Sequence, residues 1–121
     1  MSWPSSLLGA GIYTVMPAFS AGAGDFYGDT AKIWKKAQDL KTADKKQWSS
    51  FAGVALERSQ SIRSQLNNLP KRKQKERLVE LLLMCHRDCL PKILSGTPSE
   101  HATEWDQMQQ YMSEAQKLSG G

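Results

Sequence analysis

The chain reads as all-α: a four-helix bundle or small helical array behind an apolar, Gly/Ala-rich N-terminal arm. Apolar residues recur at spacings of three and four along four separate stretches, the period of a helix packed on one side. No stretch alternates with the period of two that a half-buried strand requires. The third observation is charge: the first 24 residues hold none, and all 16 Lys/Arg and 12 Asp/Glu follow from Asp25 onward. Those three features divide the chain into a docking arm over 1–28, a helical domain over 29–118 and a frayed tail over 119–121. At 121 residues, 40% apolar and 23% charged, it is one globular domain with a modest core, and wholesale disorder is excluded.

Within the arm, residues 7–24 read LLGAGIYTVMPAFSAGAG. As a transmembrane helix the stretch is short, and Pro17 and the glycines interrupt it. As a signal peptide it lacks Lys or Arg ahead of the apolar region, although Ala21-Gly22-Ala23 could serve as a cleavage site. The favoured reading is a docked segment. Small residues let backbones approach closely, and Trp3, Leu7, Leu8, Ile12, Val15, Met16 and Phe19 supply burial against a protein partner or a second copy.

Asp29 is the expected N-cap of a first helix over about 30–40, with Ile33, Trp34, Ala37 and Leu40 on its apolar stripe. Thr42 caps a second over about 43–66, striped by Trp48, Phe51, Ala52, Ala55, Ile62 and Leu66. Asn67-Asn68-Leu69-Pro70 ends it, since asparagine tolerates the left-handed cap and proline cannot continue the ladder. Pro70 then opens a third helix to about Leu90. Its dense block of Leu78, Val79, Leu81, Leu82, Leu83, Met84 and Cys85 covers more than one face, which predicts a central position flanked on two sides. Pro91 stops or bends it. Thr97-Pro98-Ser99-Glu100 forms a capping box for a fourth helix over about 98–118, with Ala102, Trp105, Met108, Met112 and Ala115 on a heptad-like seam.

Charge is distributed unevenly. Residues 1–92 carry 15 Lys/Arg against 8 Asp/Glu, and residues 93–121 carry 1 against 4. Lys71, Arg72, Lys73, Lys75 and Arg77 crowd the start of the third helix, where the macrodipole prefers acidic side chains. Lys35, Lys36, Lys45 and Lys46, with Lys41, form a second group around the first inter-helix turn. If the two groups converge they make a phosphate-binding face; if they oppose they are solvated surface. Lys71–Lys75 also resembles a nuclear-import stretch, and Leu78–Met84 an export-type leucine run, though helical spacing favours core for the latter.

Catalytic and metal chemistry find little support. Cys85-His86-Arg87-Asp88-Cys89 places two thiols on one helix face with His86 rotated about 100° from Cys85. Even with His101 that falls short of four zinc ligands, and it gives no Cys–His nucleophile pair. The two cysteines read as small core residues in a reducing intracellular compartment, cytoplasm or nucleus. No cofactor, metal or catalytic residue is expected.

The expected function is a non-catalytic interaction and assembly module, docked through its arm and able to meet nucleic acid or another polyanion through its basic flank. The alternative is a membrane-associated subunit with residues 7–24 embedded and Lys32, Lys35 and Lys36 on the cytoplasmic or matrix side.

Overall fold

The computed structural model describes residues 23–120, which are helical with short connections and contain no strand. The expectations for the arm up to residue 22 lie outside the described residues. The helices are α1 (Ala23–Leu40), α2 (Lys45–Asn67), the single-turn α3 (Lys71–Gln74), α4 (Arg77–Met84), α5 (Leu90–Ser95) and α6 (Ala102–Leu118). A π-helical segment, Cys85–Cys89, joins α4 to α5. The composite α4–π–α5 counts as one long helix, so the described residues form a bundle of four long helices with the single-turn α3 between the second and third.

Neighbouring runs are antiparallel. Trp48, at the start of α2, donates from Nε1 to Gly96 O just past the end of α5, at 2.8 Å. Arg77 opens α4 and pairs with Glu114 near the end of α6, while Lys92 in α5 pairs with Glu104 near its start. Short connections of this kind favour antiparallel neighbours.

The apolar stripes meet as expected. Ile33, Trp34 and Ala37 of α1 are buried, as are Trp48, Phe51, Ala52, Ala55, Ile62 and Leu66 of α2, and Trp105, Met108, Met112 and Ala115 of α6. Each fully enclosed Ile or Leu contributes roughly 2–3 kcal/mol of transfer free energy. Leu40, at the end of α1, is half-buried and packs against this core, and Ala102, at the start of α6, is exposed. The composite helix buries Leu78, Val79, Leu81, Leu82, Cys85, His86, Cys89, Leu90, Ile93 and Leu94, the broad face expected of a helix flanked on two sides. Trp105 packs at a tilt against Trp34 and Trp48, with ring centroids 5.1 and 6.0 Å apart.

Several boundaries differ from the sequence expectation. α1 begins at Ala23, ahead of the expected Asp29 cap. Phe26 is buried and extends the stripe by one turn through Thr30, and that burial outweighs the interior glycine at Gly28. Asp29, freed from capping, accepts from Arg58 Nη2 at 2.9 Å across to α2. The cap of α2 is Asp44 rather than Thr42: its Oδ1 accepts from Gln47 N at 2.8 Å, and a carboxylate suits the positive end of the dipole. The third helix is broken at Lys75-Glu76, where Glu76 turns extended (φ −66°, ψ 137°). Gln74 holds the break, donating from Nε2 to Asn67 O and Leu69 O at 2.9 and 2.7 Å.

Pro91 neither stops nor sharply ends the composite helix. Proline lacks an N–H and its ring crowds the carbonyl four residues back. The preceding turn widens instead, and Leu90 N–H reaches Cys85 O five residues earlier. A single π turn is a known way to absorb such a residue.

The capping box forms only in part. Thr97 N donates to Glu100 Oε1 at 2.7 Å and Glu100 N to Thr97 O at 3.1 Å. These bonds close a turn, and α6 starts later, at Ala102 after His101. Trp48's bond to Gly96 and the burial of Trp105 fix where the helix can begin.

Candidate functional site

The two basic groups do not converge. Lys45 and Lys46 occupy the first turn of α2, and Lys71 follows four residues after its last, Asn67. A 23-residue helix separates its ends by about 34 Å. The groups therefore stand at opposite ends of the bundle, and no single phosphate-binding face unites them.

At the α1–α2 turn, Lys35 is engaged with Asp39 at 3.7 Å. Lys41 Nζ lies 4.7 Å from the Trp105 ring centroid, a cation–π position. Lys36 is half-buried, while Lys45 and Lys46 are exposed. An open groove of about 420 Å³ lies beside Lys45, lined also by Trp48, Ala52, Gly53, Gly96 and Glu100.

The other end carries the second group. Lys71, Arg72 and Lys75 are exposed and make no ion pair among the described residues. Lys73 pairs with Glu76 at 3.7 Å. Arg77 is withdrawn from the group: Nε and Nη2 donate to the two Glu114 oxygens at 2.8 and 3.2 Å, and Nη1 reaches Glu80 at 3.4 Å. The Arg77 hydrogen bond holds the Glu114 carboxyl below its ordinary range, and Glu114 in turn raises the guanidinium. Arg77 thus ties α4 to α6 within the bundle. The pair is exposed, so the guanidinium remains at the surface while engaged with two carboxylates.

A second constellation was not legible as such in the sequence. His86 is enclosed, with Nε2 2.7 Å from Thr30 Oγ1 and Nδ1 2.7 Å from Ser59 Oγ. Thr30 Oγ1 donates to Phe26 O, four residues back in α1, at 2.7 Å. With its only proton committed there, Thr30 must accept from His86 Nε2–H. Nδ1 is then unprotonated and accepts from the Ser59 hydroxyl. The chain of donors runs Ser59 to His86 to Thr30 to Phe26 O, linking α2, the π segment and α1. Burial, reinforced by the Arg58 charge, pulls the His86 pKa down from 6.5 to about 3.

Chemically this is a satisfied core histidine. A hydroxyl bonded to imidazole suggests a nucleophile, but Ser59 is 1% exposed and no substrate can reach it. The partner on the other nitrogen is a hydroxyl, so no carboxylate stabilises an imidazolium. One signal could have found the cluster: Thr30 and Ser59 sit at core register on their stripes, four residues from Trp34 and from Ala55 respectively. Hydroxyls at such positions call for a buried partner.

Cys85 and Cys89 are free and buried. Burial raises both thiols, Cys89 to about 12, so neither is a thiolate at neutral pH. Among the described residues no group of three His, Cys, Asp or Glu side chains could hold a metal ion, and no helix is long and apolar enough to cross a membrane.

Comparison of the chain with protein-family models, with curated proteins and with solved structures finds no match in any of the three.

Proposed function

We propose that the chain is a non-catalytic helical interaction module. Its uncharged N-terminal segment joins it to a larger assembly, and its basic end meets a polyanion. The observation behind the basic half of this reading is the set of three exposed cations, Lys71, Arg72 and Lys75, without ion pairs among the described residues. Their neighbours Lys73 and Arg77 are paired with carboxylates, and the exposed three gather on one turn. Supporting the non-catalytic half, the Ser59–His86 contact is sealed in the core. The thiols are held protonated by burial.

Binding to a generic polyanion, heparin, tests the reading by titration at 50 and 500 mM salt. With three phosphate- or sulfate-like contacts, the slope of log affinity against log salt should be about −2 to −3. Combined Lys71→Glu, Arg72→Glu and Lys75→Glu changes should abolish binding, whereas Lys45→Glu with Lys46→Glu should leave it. Binding that is absent at 50 mM salt, or equally weakened by both sets of changes, refutes the basic end as the contact.

A further inference from the structure

We infer that Thr97 is a phosphorylation site, the target of a proline-directed serine/threonine kinase, and that Lys45 seats the phosphate it receives. The inference concerns the end of the bundle away from Lys71, Arg72 and Lys75, and it does not depend on how those cations are used.

Of the five prolines, only Pro98 follows a hydroxyl residue; the others follow Trp3, Met16, Leu69 and Leu90. A residue ahead of proline is pushed towards extended backbone, the form in which a kinase cleft takes its substrate. Proline at the next position brings no N–H that the enzyme would have to satisfy. The fold keeps the site outside regular structure. Residues 96–101 connect α5 to α6 without helix. By contrast Arg58-Ser59-Gln60-Ser61, with an arginine three residues ahead of a serine, is held inside α2.

The Thr97 hydroxyl is not spent on capping. At the head of a capping box, threonine accepts the N–H three residues on through its side chain. Here Glu100 N donates to the backbone oxygen of Thr97 instead, at 3.1 Å. Thr97 Oγ1 makes one long contact, 3.4 Å to Ser99 Oγ. The residues that look like a helix start in the sequence thus leave Thr97 half-buried in a turn.

Beside it lies a place for the phosphate. Trp48 holds the connection against the first turn of α2 through Gly96 O, at 2.8 Å. Thr97, Glu100 and Lys45 therefore line one open groove of about 420 Å³. Lys45 and Lys46 are exposed and make no ion pair among the described residues. Thr97 N donates to Glu100 Oε1 at 2.7 Å; that bond keeps the Glu100 carboxyl below its ordinary range, and the Lys45 charge acts in the same direction.

In the transfer, Thr97 Oγ1 bonds to the γ-phosphorus of ATP as the bond to the β–γ bridging oxygen breaks. ADP leaves, and the hydroxyl proton passes to the kinase's catalytic carboxylate. The new group carries about two negative charges. It repels the Glu100 carboxylate and takes over both of that group's attractions, the Thr97 N–H and the Lys45 ammonium. Residues 35–48 and 92–106, which form this end, hold six Lys/Arg against five Asp/Glu, so one phosphate reverses the sign of its charge.

The test uses the full chain with a purified proline-directed kinase and MgATP, and tandem mass spectrometry maps the product. The native chain should take up phosphate on Thr97. Thr97→Ala should abolish uptake, Thr97→Ser should retain it, and Pro98→Ala should slow it at least about tenfold. Circular dichroism confirms that each variant is folded. Phosphorus NMR then follows the second ionisation of the phosphate, ordinarily at about pH 6. In the phosphorylated chain it should lie about 0.5 pH unit below its position in the phosphorylated Lys45→Gln chain. Lys75→Gln, at the opposite end, should leave it unmoved. No uptake by the folded chain, or uptake on another residue, overturns the site. Uptake undiminished by Pro98→Ala overturns the kinase class, and an ionisation indifferent to Lys45→Gln overturns the seat.

Discussion

Replacing His86 with leucine removes a fully enclosed titratable ring and separates two effects that the structure combines. The first is hydrogen bonding. His86 connects Ser59 and Thr30 at 2.7 Å on either side, and His86→Leu leaves the Ser59 hydroxyl buried without that partner. Thr30 keeps its bond to Phe26 O. A buried polar group deprived of its partner costs about 1–3 kcal/mol, so the variant should be less stable by that amount at pH 7. The second effect is ionisation. In the unfolded chain the imidazole takes up a proton below about pH 6.5; in the folded chain burial postpones this to about pH 3. Between those values the unfolded state holds more protons, so stability is complete above about pH 6.5 and is lost as pH falls through the window. From pH 7 to pH 5 the loss amounts to about 2 kcal/mol. Leucine cannot titrate, and the variant escapes it. Urea unfolding of both proteins, followed by circular dichroism at pH 7, 6 and 5, measures the gap directly. It should narrow by about 2 kcal/mol over that range. The window stays above the ordinary carboxylate range, so Asp and Glu contribute similarly to both proteins. A gap that is constant or widens on acidification refutes the neutral, enclosed imidazole. A gap near zero at pH 7 refutes the relay as a tie between helices.

Two further expectations follow from packing. A Cβ placed at Gly28 or at Gly53 meets nothing within 4 Å, and both lie inside helices. Gly28→Ala and Gly53→Ala should each stabilise the fold by about 0.5–1 kcal/mol, read as a rise of several degrees in Tm; no rise, or a fall, contradicts the helical assignment at that position. Cys85 and Cys89 should resist a thiol reagent at pH 8 in the native protein and release both equivalents in denaturant. Rapid native labelling would show the π segment open to solvent.

Much of the bundle was legible in the sequence because helical periodicity reports burial directly. The stripes through Ile33 and Trp34, through Trp48 to Leu66, and through Trp105 to Ala115 face the core as their spacing indicates. The breadth of the apolar block from Leu78 to Cys85 likewise indicated a helix packed on two sides. Boundaries were less legible, because local capping signals compete with distant contacts. Asp29 has the chemistry of a cap, yet the burial of Phe26 extends α1 past it. Thr97-Pro98-Ser99-Glu100 has the residues of a capping box, yet it closes only a turn before α6. Pro91 has the chemistry of a stop, yet the widened turn at Cys85–Cys89 carries the chain through.

The candidate surfaces divide in the same way. Composition alone located the basic residues, but not which of them were available. Arg77 and Lys73 stand among like charges in sequence and are paired with Glu114 and Glu76 in space, whereas Lys71, Arg72 and Lys75 are left open. His86 looked like a neighbour of Cys85 on a regular helix. Its real partners are hydroxyls 56 and 27 residues away, a separation that no local pattern spans.

By itself the sequence determined a helical body behind the arm, its four apolar faces and the confinement of charge to the residues after Gly24, because periodicity and composition are local properties of the polymer. The tertiary structure decided that the two basic groups face opposite ends, that Arg77 is paired with Glu114 across α4 and α6 and that His86 is neutral. Each of these depends on how far apart the antiparallel runs place groups that are distant along the chain, and on how much water the packing leaves around them.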